Sequence, residues 1–145
     1  MRRLGIAVFW IVALFYGYGA LVHVSNILGM GGFDWIDAPT KWQVLDVAYL
    51  ILDAIVFIGF FVRANVSIVA FYVAALSQIV LYTVLRPWII DVPDAFRITP
   101  EQNQYLTLLV IFHVVTLVLV TGAIRLLRLT ESDGRPPRET GTVAG

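Results

Sequence analysis

Four apolar runs, each close to the length of a membrane-crossing helix, take up most of this 145-residue chain. About 20 helical residues at ~1.5 Å each cross a hydrocarbon core ~30 Å thick. The runs cover approximately 4–28, 42–62, 66–85 and 102–124. The chain is 59% hydrophobic and 14% charged, with a mean hydropathy of +0.85. A soluble domain carries about a quarter charged residues. These features predict an all-α protein, a four-transmembrane-helix antiparallel bundle in contact with lipid. The first run follows Arg2-Arg3 and has the outline of a secretory signal, but it is too long for one. Tyr18-Gly19-Ala20 is also a poor cleavage site, so the helix is expected to be retained.

Charge sets the expected orientation. Arg2, Arg3, Arg63, Arg125, Arg128, Arg135 and Arg138 fall on one side of a four-span arrangement. Lys41, Arg86 and Arg97 fall on the other, outnumbered by Asp34, Asp37, Asp91, Asp94 and Glu101. The positive-inside rule then places both termini in the cytoplasm, as for a multi-pass protein of a bacterial inner membrane. Arg63-Ala64-Asn65 leaves only a tight turn between the second and third spans, which must be antiparallel neighbours. The two outer loops contain Phe33, Trp35 and Ile36 in one and Trp88, Ile89 and Ile90 in the other. Loops this apolar are expected to cap the bundle or lie on the membrane surface. Thr99-Pro100-Glu101-Gln102 has the pattern of a capping box opening the fourth span. Residues 129–145, rich in Gly, Pro, Thr and charge, are expected to form a disordered cytoplasmic tail after a transmembrane domain over 1–128.

Polar residues inside the runs identify the candidate site. Trp42, Asp46, Tyr49 and Asp53 recur at helical spacing and form one stripe on the second span. An ionised carboxylate near the bilayer centre is costly, so the stripe must face protein. Counting from the run boundaries puts Asp53, His113 and Gln78, with Ser77, near one level. Asp46 and His23 lie roughly 10 Å outward. Tyr16, Gly19, His23 and Asn26 share a face of the first span. The candidate binding or proton-relay residues are therefore Asp53, His113, Gln78, Asp46, His23, Tyr49 and Tyr16. Asp53 is expected to meet His113 or Gln78, and Asp46 to meet His23. Such contacts can serve only to specify helix packing, or they can hold a ligand or move protons.

Several chemistries lack support. Cysteine is absent, which removes disulfides and thiolate metal sites. Ten basic residues balance ten acidic ones, so net charge does not point to nucleic acid. No metalloprotease helix, nucleophile elbow or phosphate loop is present. Neither a catalytic set nor a metal set is expected. His23 and His113 on separate helices are conceivable haem ligands, although their levels differ. An Asp–His pair in low dielectric can also exchange protons with a quinone.

The arrangement resembles the DoxX-like small four-helix membrane proteins of bacteria. The likeness rests on the Arg-initiated first span with Gly17 and Gly19 in its second half, and on the short hairpin at Arg63. It extends over about residues 2 to 128 at the level of topology. Leu21-Val22-His23 stands where the family has a Lys after the first-span glycine. The resemblance implies a link to respiratory quinone chemistry for some members. Three roles are expected in decreasing order: a non-enzymatic accessory or small-ligand-binding subunit, a quinone- or haem-linked proton-relay component, and an oligomeric permeation unit. The partners expected are the lipid bilayer, with a larger membrane complex or further copies of the chain.

Overall fold

The computed structural model describes residues 2–32 and 34–132, and the ordered elements among them are helical. They are α1 (Arg2–Ile27), α2 (Thr40–Val62), α3 (Asn65–Thr83), α4 (Arg86–Ile90), a 3-10 turn (Asp94–Phe96) and α5 (Pro100–Ser132). The stretches Arg3–Ile27, Thr40–Val62, Asn65–Thr83 and Pro100–Leu127 are each long and apolar enough to cross a membrane. Only 22–39% of the most apolar part of each is covered by the rest of the protein. Leu14, Ile51, Ile58, Val69, Leu108 and Val118 point outward. Water would disfavour so large an apolar surface, whereas lipid would solvate it.

The helices pack in a ring in the order α1, α2, α3, α5 and back to α1. Phe9 of α1 meets Phe60 of α2, and His23 meets Asp46, so residue numbers rise along one helix as they fall along the other. Between α2 and α3, Phe60 meets Phe71 and Tyr49 meets Ser77 in the same sense. The half of the bundle nearest the α2–α3 turn has an apolar centre. Val12, Ala13, Val56, Phe71, Ala74 and Val120 form its centre, each at most 2% exposed. Small residues on α3 bring its backbone close to α2. A Cβ on Gly59 would run into Cβ of Ser67, so this close crossing requires glycine. The turn that follows places Arg63 in the left-handed region, at φ 58°, while Ala64 N–H donates to the Gly59 carbonyl. Non-glycine residues seldom adopt this conformation, and packing must hold it in place.

The expected elements differ from the structure chiefly at their ends. The third span stops at Thr83 rather than Leu85, because Pro87, in the first turn of α4, starts a new short helix. The capping box forms: Thr99 N–H donates to Oε1 of Gln102 at 2.8 Å, and Gln102 N–H donates to Oγ1 of Thr99 at 3.2 Å. The fourth span was expected to lose its helix at 129, but α5 runs on to Ser132. Leu126, Leu127, Arg128 and Leu129 are good helix formers, and no glycine or proline intervenes before Gly134. The remainder of the expected tail, 133–145, lies outside the described residues.

The crossing at Gly59 makes a direct prediction. Gly59→Ala should lower stability in detergent by about 1–3 kcal/mol through overpacking. Gly122→Ala, whose Cβ would meet nothing within 4 Å, should be neutral or gain up to ~1 kcal/mol of helix propensity. Unfolding in mixed micelles, followed by circular dichroism, measures both.

Candidate functional site

The polar stripe of α2 faces protein, as its spacing requires. Asp46, Tyr49 and Asp53 are 7%, 4% and 3% exposed. They face α1, which returns a matching stripe of Tyr16, Gly19, His23 and Asn26. Asp46 is the hub. Its Oδ1 accepts from Nδ1 of His23 at 2.7 Å and from Nδ2 of Asn26 at 3.1 Å. Its Oδ2 accepts from Nε1 of Trp35 at 3.1 Å. One carboxylate thus joins α1, α2 and the loop between them. Charge-assisted bonds of this kind are the stronger ones, and here they replace the water that the acid has lost.

His23 connects the two acids. With Nδ1 turned to Asp46, Nε2 lies 3.9 Å from Oδ2 of Asp53. That separation is an ion-pair distance, too long for a hydrogen bond. The imidazole also stacks on Tyr49, with ring centroids 6.1 Å apart. Asp53 is admitted because α1 carries Gly19 opposite it; a Cβ there would collide with Oδ2. The other carboxyl oxygen, Oδ1, is buried without a hydrogen-bond partner, as is the hydroxyl of Tyr16. Buried polar atoms are rarely left so, which sets these two apart from the fully bonded oxygens of Asp46.

The expected meeting of Asp53 with His113 or Gln78 does not occur among the described residues. His113 is 4% exposed, donates from Nδ1 to the Leu109 carbonyl at 2.6 Å, and lies edge-on to Tyr16. Gln78 is buried on α3, and Tyr49 reaches α3 through Ser77, donating to its Oγ at 3.1 Å. Equal depth brought these residues to one level, but α5 packs against α1 and α3 rather than α2. The expected Asp46–His23 pair does form. The two imidazoles turn to different neighbours, so they do not present a shared axial position to one haem iron. No group of three or more metal-ligating side chains occurs among the described residues.

Above the hub lies a cavity of about 490 Å³. His23, Asp46 and Tyr49 line it together with Trp42, Tyr82, Phe96 and Tyr105, and Arg97 and Gln102 also contribute. The loop between α1 and α2 and the segment between α3 and α5 build its surround. Gln43 donates to the carbonyls of Trp35 and Ile36 at 2.9 Å, fixing the first loop. Lys41 donates to the carbonyls of Trp88 and Asp91 at 2.5 Å and lies over the Trp88 ring, and Trp42 donates to the Ile89 carbonyl at 3.0 Å. Arg86 donates to Asn103 and Thr107, fastening α4 to α5. A second cavity, about 330 Å³, lies at the opposite end beside Trp10, Arg63 and Ser67, and no acid or histidine lines it. Phe96, Arg97 and Gln102 escaped the sequence reading. Phe96 stands in a connection, 91–99, that mixes apolar and acidic residues, so nothing in the sequence singles it out.

Comparison with models of known families, with curated proteins and with solved structures finds no match for this chain. The site must therefore be read from its own chemistry. Asp46→Ala would strand the donors of His23, Asn26 and Trp35, at roughly 1–3 kcal/mol for each buried donor left unpaired. A loss of about 3 kcal/mol or more is expected in micellar unfolding, against about 1 kcal/mol for Gln102→Ala at the cavity edge, which removes only the capping-box bond from Thr99 N–H.

Proposed function

We propose that this chain is a multi-pass bacterial inner-membrane protein that binds a small ligand in the outer cavity, acting as an accessory or binding subunit rather than an enzyme. In this reading the four long helices form an antiparallel bundle with both ends on the cytoplasmic side. Falling residue numbers across the α1–α2 and α2–α3 pairs support the antiparallel sense. The arginine-rich end around Arg3, Arg63 and Arg125, set against the acidic loops at the other, supports the orientation. The resemblance to DoxX-like proteins belongs to the same reading and rests on the same topology.

The observation that carries the binding role is a preformed cavity of about 490 Å³, with aromatic walls and a few convergent polar groups around Asp46. Ligand sites commonly have this size and mixture. The surrounding loops are tied by side-chain bonds to backbone carbonyls, so the cavity needs little reorganisation to accept a guest. A second reading is favoured by one observation: Asp46, His23 and Asp53 form a line from the cavity to a carboxyl oxygen that lacks a partner. Such a line suits proton movement, and acids within membranes often serve that purpose.

The cysteine-free sequence makes the topology straightforward to test. A membrane-impermeant maleimide added to intact spheroplasts should label Asp37→Cys and spare Arg63→Cys until the membrane is opened; the reverse pattern overturns the orientation. Gentle extraction followed by native mass spectrometry should find a small molecule bound to the wild-type protein. The proton-relay reading instead expects proton flux in vesicles that Asp53→Asn abolishes without unfolding the protein.

A further inference from the structure

The chemistry around the outer cavity narrows what it can hold, given the binding role proposed above. Aromatic rings stand in its walls among aliphatic side chains such as Leu45, Ile89 and Leu106: Trp42, Tyr49, Tyr82, Phe96 and Tyr105 come from α2, α3, the outer loop and α5. Their faces carry negative electrostatic potential and attract a cation placed over them. The acid among its lining residues, Asp46, is 7% exposed and directs both oxygens to N–H donors. None of those donors is a lysine or arginine. Asp53 adds a second acid just below, beyond His23.

The cations of this end are engaged elsewhere. Lys41 is held by the carbonyls of Trp88 and Asp91. Arg86 is held by Asn103 and Thr107. Arg97 lines the cavity but is paired with Asp94 at 2.5 Å, with both side chains largely in the open. The cavity therefore combines several aromatic rings with the Asp46 carboxylate, whose closest nitrogen partner is the imidazole of His23 rather than a lysine or arginine. Asp46 is the carboxylate a guest would meet there, and the rings around it suit a cation better than an anion.

We propose that the outer cavity binds a small organic cation, a substituted ammonium group seated among the rings of Trp42, Tyr49, Tyr82 and Tyr105 above Asp46. The ammonium group sits among the rings, where its alkyl substituents replace water and its charge answers that of Asp46. Arg97 opposes the guest, so its charge weakens binding rather than supplying it. Tyr105, 52% exposed, forms an outer wall that can be altered without opening the core.

Titration calorimetry of the full chain in zwitterionic nanodiscs, with empty nanodiscs subtracted, tests this with three probes of one shape class: benzyltrimethylammonium, benzyl alcohol and benzoate. The cation should bind saturably and at least about tenfold more tightly than either of the others, as desolvated cation–π contacts allow. Tyr105→Leu should weaken it several-fold, and Arg97→Gln should strengthen it, since removing a like charge favours the guest. Tighter binding of benzyl alcohol or benzoate, or weaker cation binding in Arg97→Gln, overturns the cation assignment while leaving the cavity a ligand site. Absence of saturable binding by all three probes overturns the assignment and, with nothing bound to the gently extracted wild-type protein, the binding role too.

Discussion

An acid in the middle of a lipid-crossing helix has to be satisfied by other parts of its own protein, and here the imidazole of His23 is the group that reaches both acids. Removing a carboxylate from water costs several kcal/mol even after relaxation. The chain meets that cost by laying α1 along α2 so that Asp46 receives three N–H donors and Asp53 lies within ion-pair reach of His23. Gly19 is part of the same solution, because only a residue without a side chain leaves room for the Asp53 carboxyl. The α1–α2 seam thus has one register in which both acids are accommodated. Displacing it by a turn would part Asp46 from His23 and Asn26 and set Asp53 against a residue other than Gly19.

The bundle divides along its length as a consequence. Toward the α2–α3 turn, small residues on α3 and rings such as Phe60 and Phe71 fill the interior with apolar atoms. Toward the other end, the rings stand apart around polar groups, leaving a cavity rather than a core. A membrane protein gains little from burying apolar side chains against one another, because lipid is an equally good solvent for them. Polar contacts and close packing therefore carry more of its specificity. The loops extend that arrangement: Trp35 closes over Asp46, and Lys41 holds the segment that contains Trp88.

Much of this was legible in the residues before any coordinates. Helical spacing of Trp42, Asp46, Tyr49 and Asp53 was enough to show a buried stripe, because lipid would not solvate it. Run length and the Arg63 turn were enough for the four long helices. Which helix answered the stripe was not legible. Depth along a helix can be counted from its ends, but the direction a residue faces depends on which helices are neighbours. That ambiguity led Asp53 to be matched with His113, which instead bonds to its own helix at Leu109. The Trp35 bond to Asp46 was equally hidden, since a loop carries no periodicity from which to infer direction. The extension of α5 to Ser132 was missed for a different reason: its hydrophobic pattern fades before its helix propensity does.

Because the chain has only two histidines, nitrogen-15 NMR of histidine-labelled protein reports directly on the link between the two acids. The structure requires a strongly deshielded Nδ1 proton on His23, bonded to Asp46, that is lost in Asp46→Ala. It also requires a shift at Nε2 of the same ring in Asp53→Asn, while the His113 signals, identified by His113→Gln, stay in place. If the His23 resonances are unchanged in both acid variants, the imidazole does not lie between Asp46 and Asp53. The seam that organises the bundle would then be wrong.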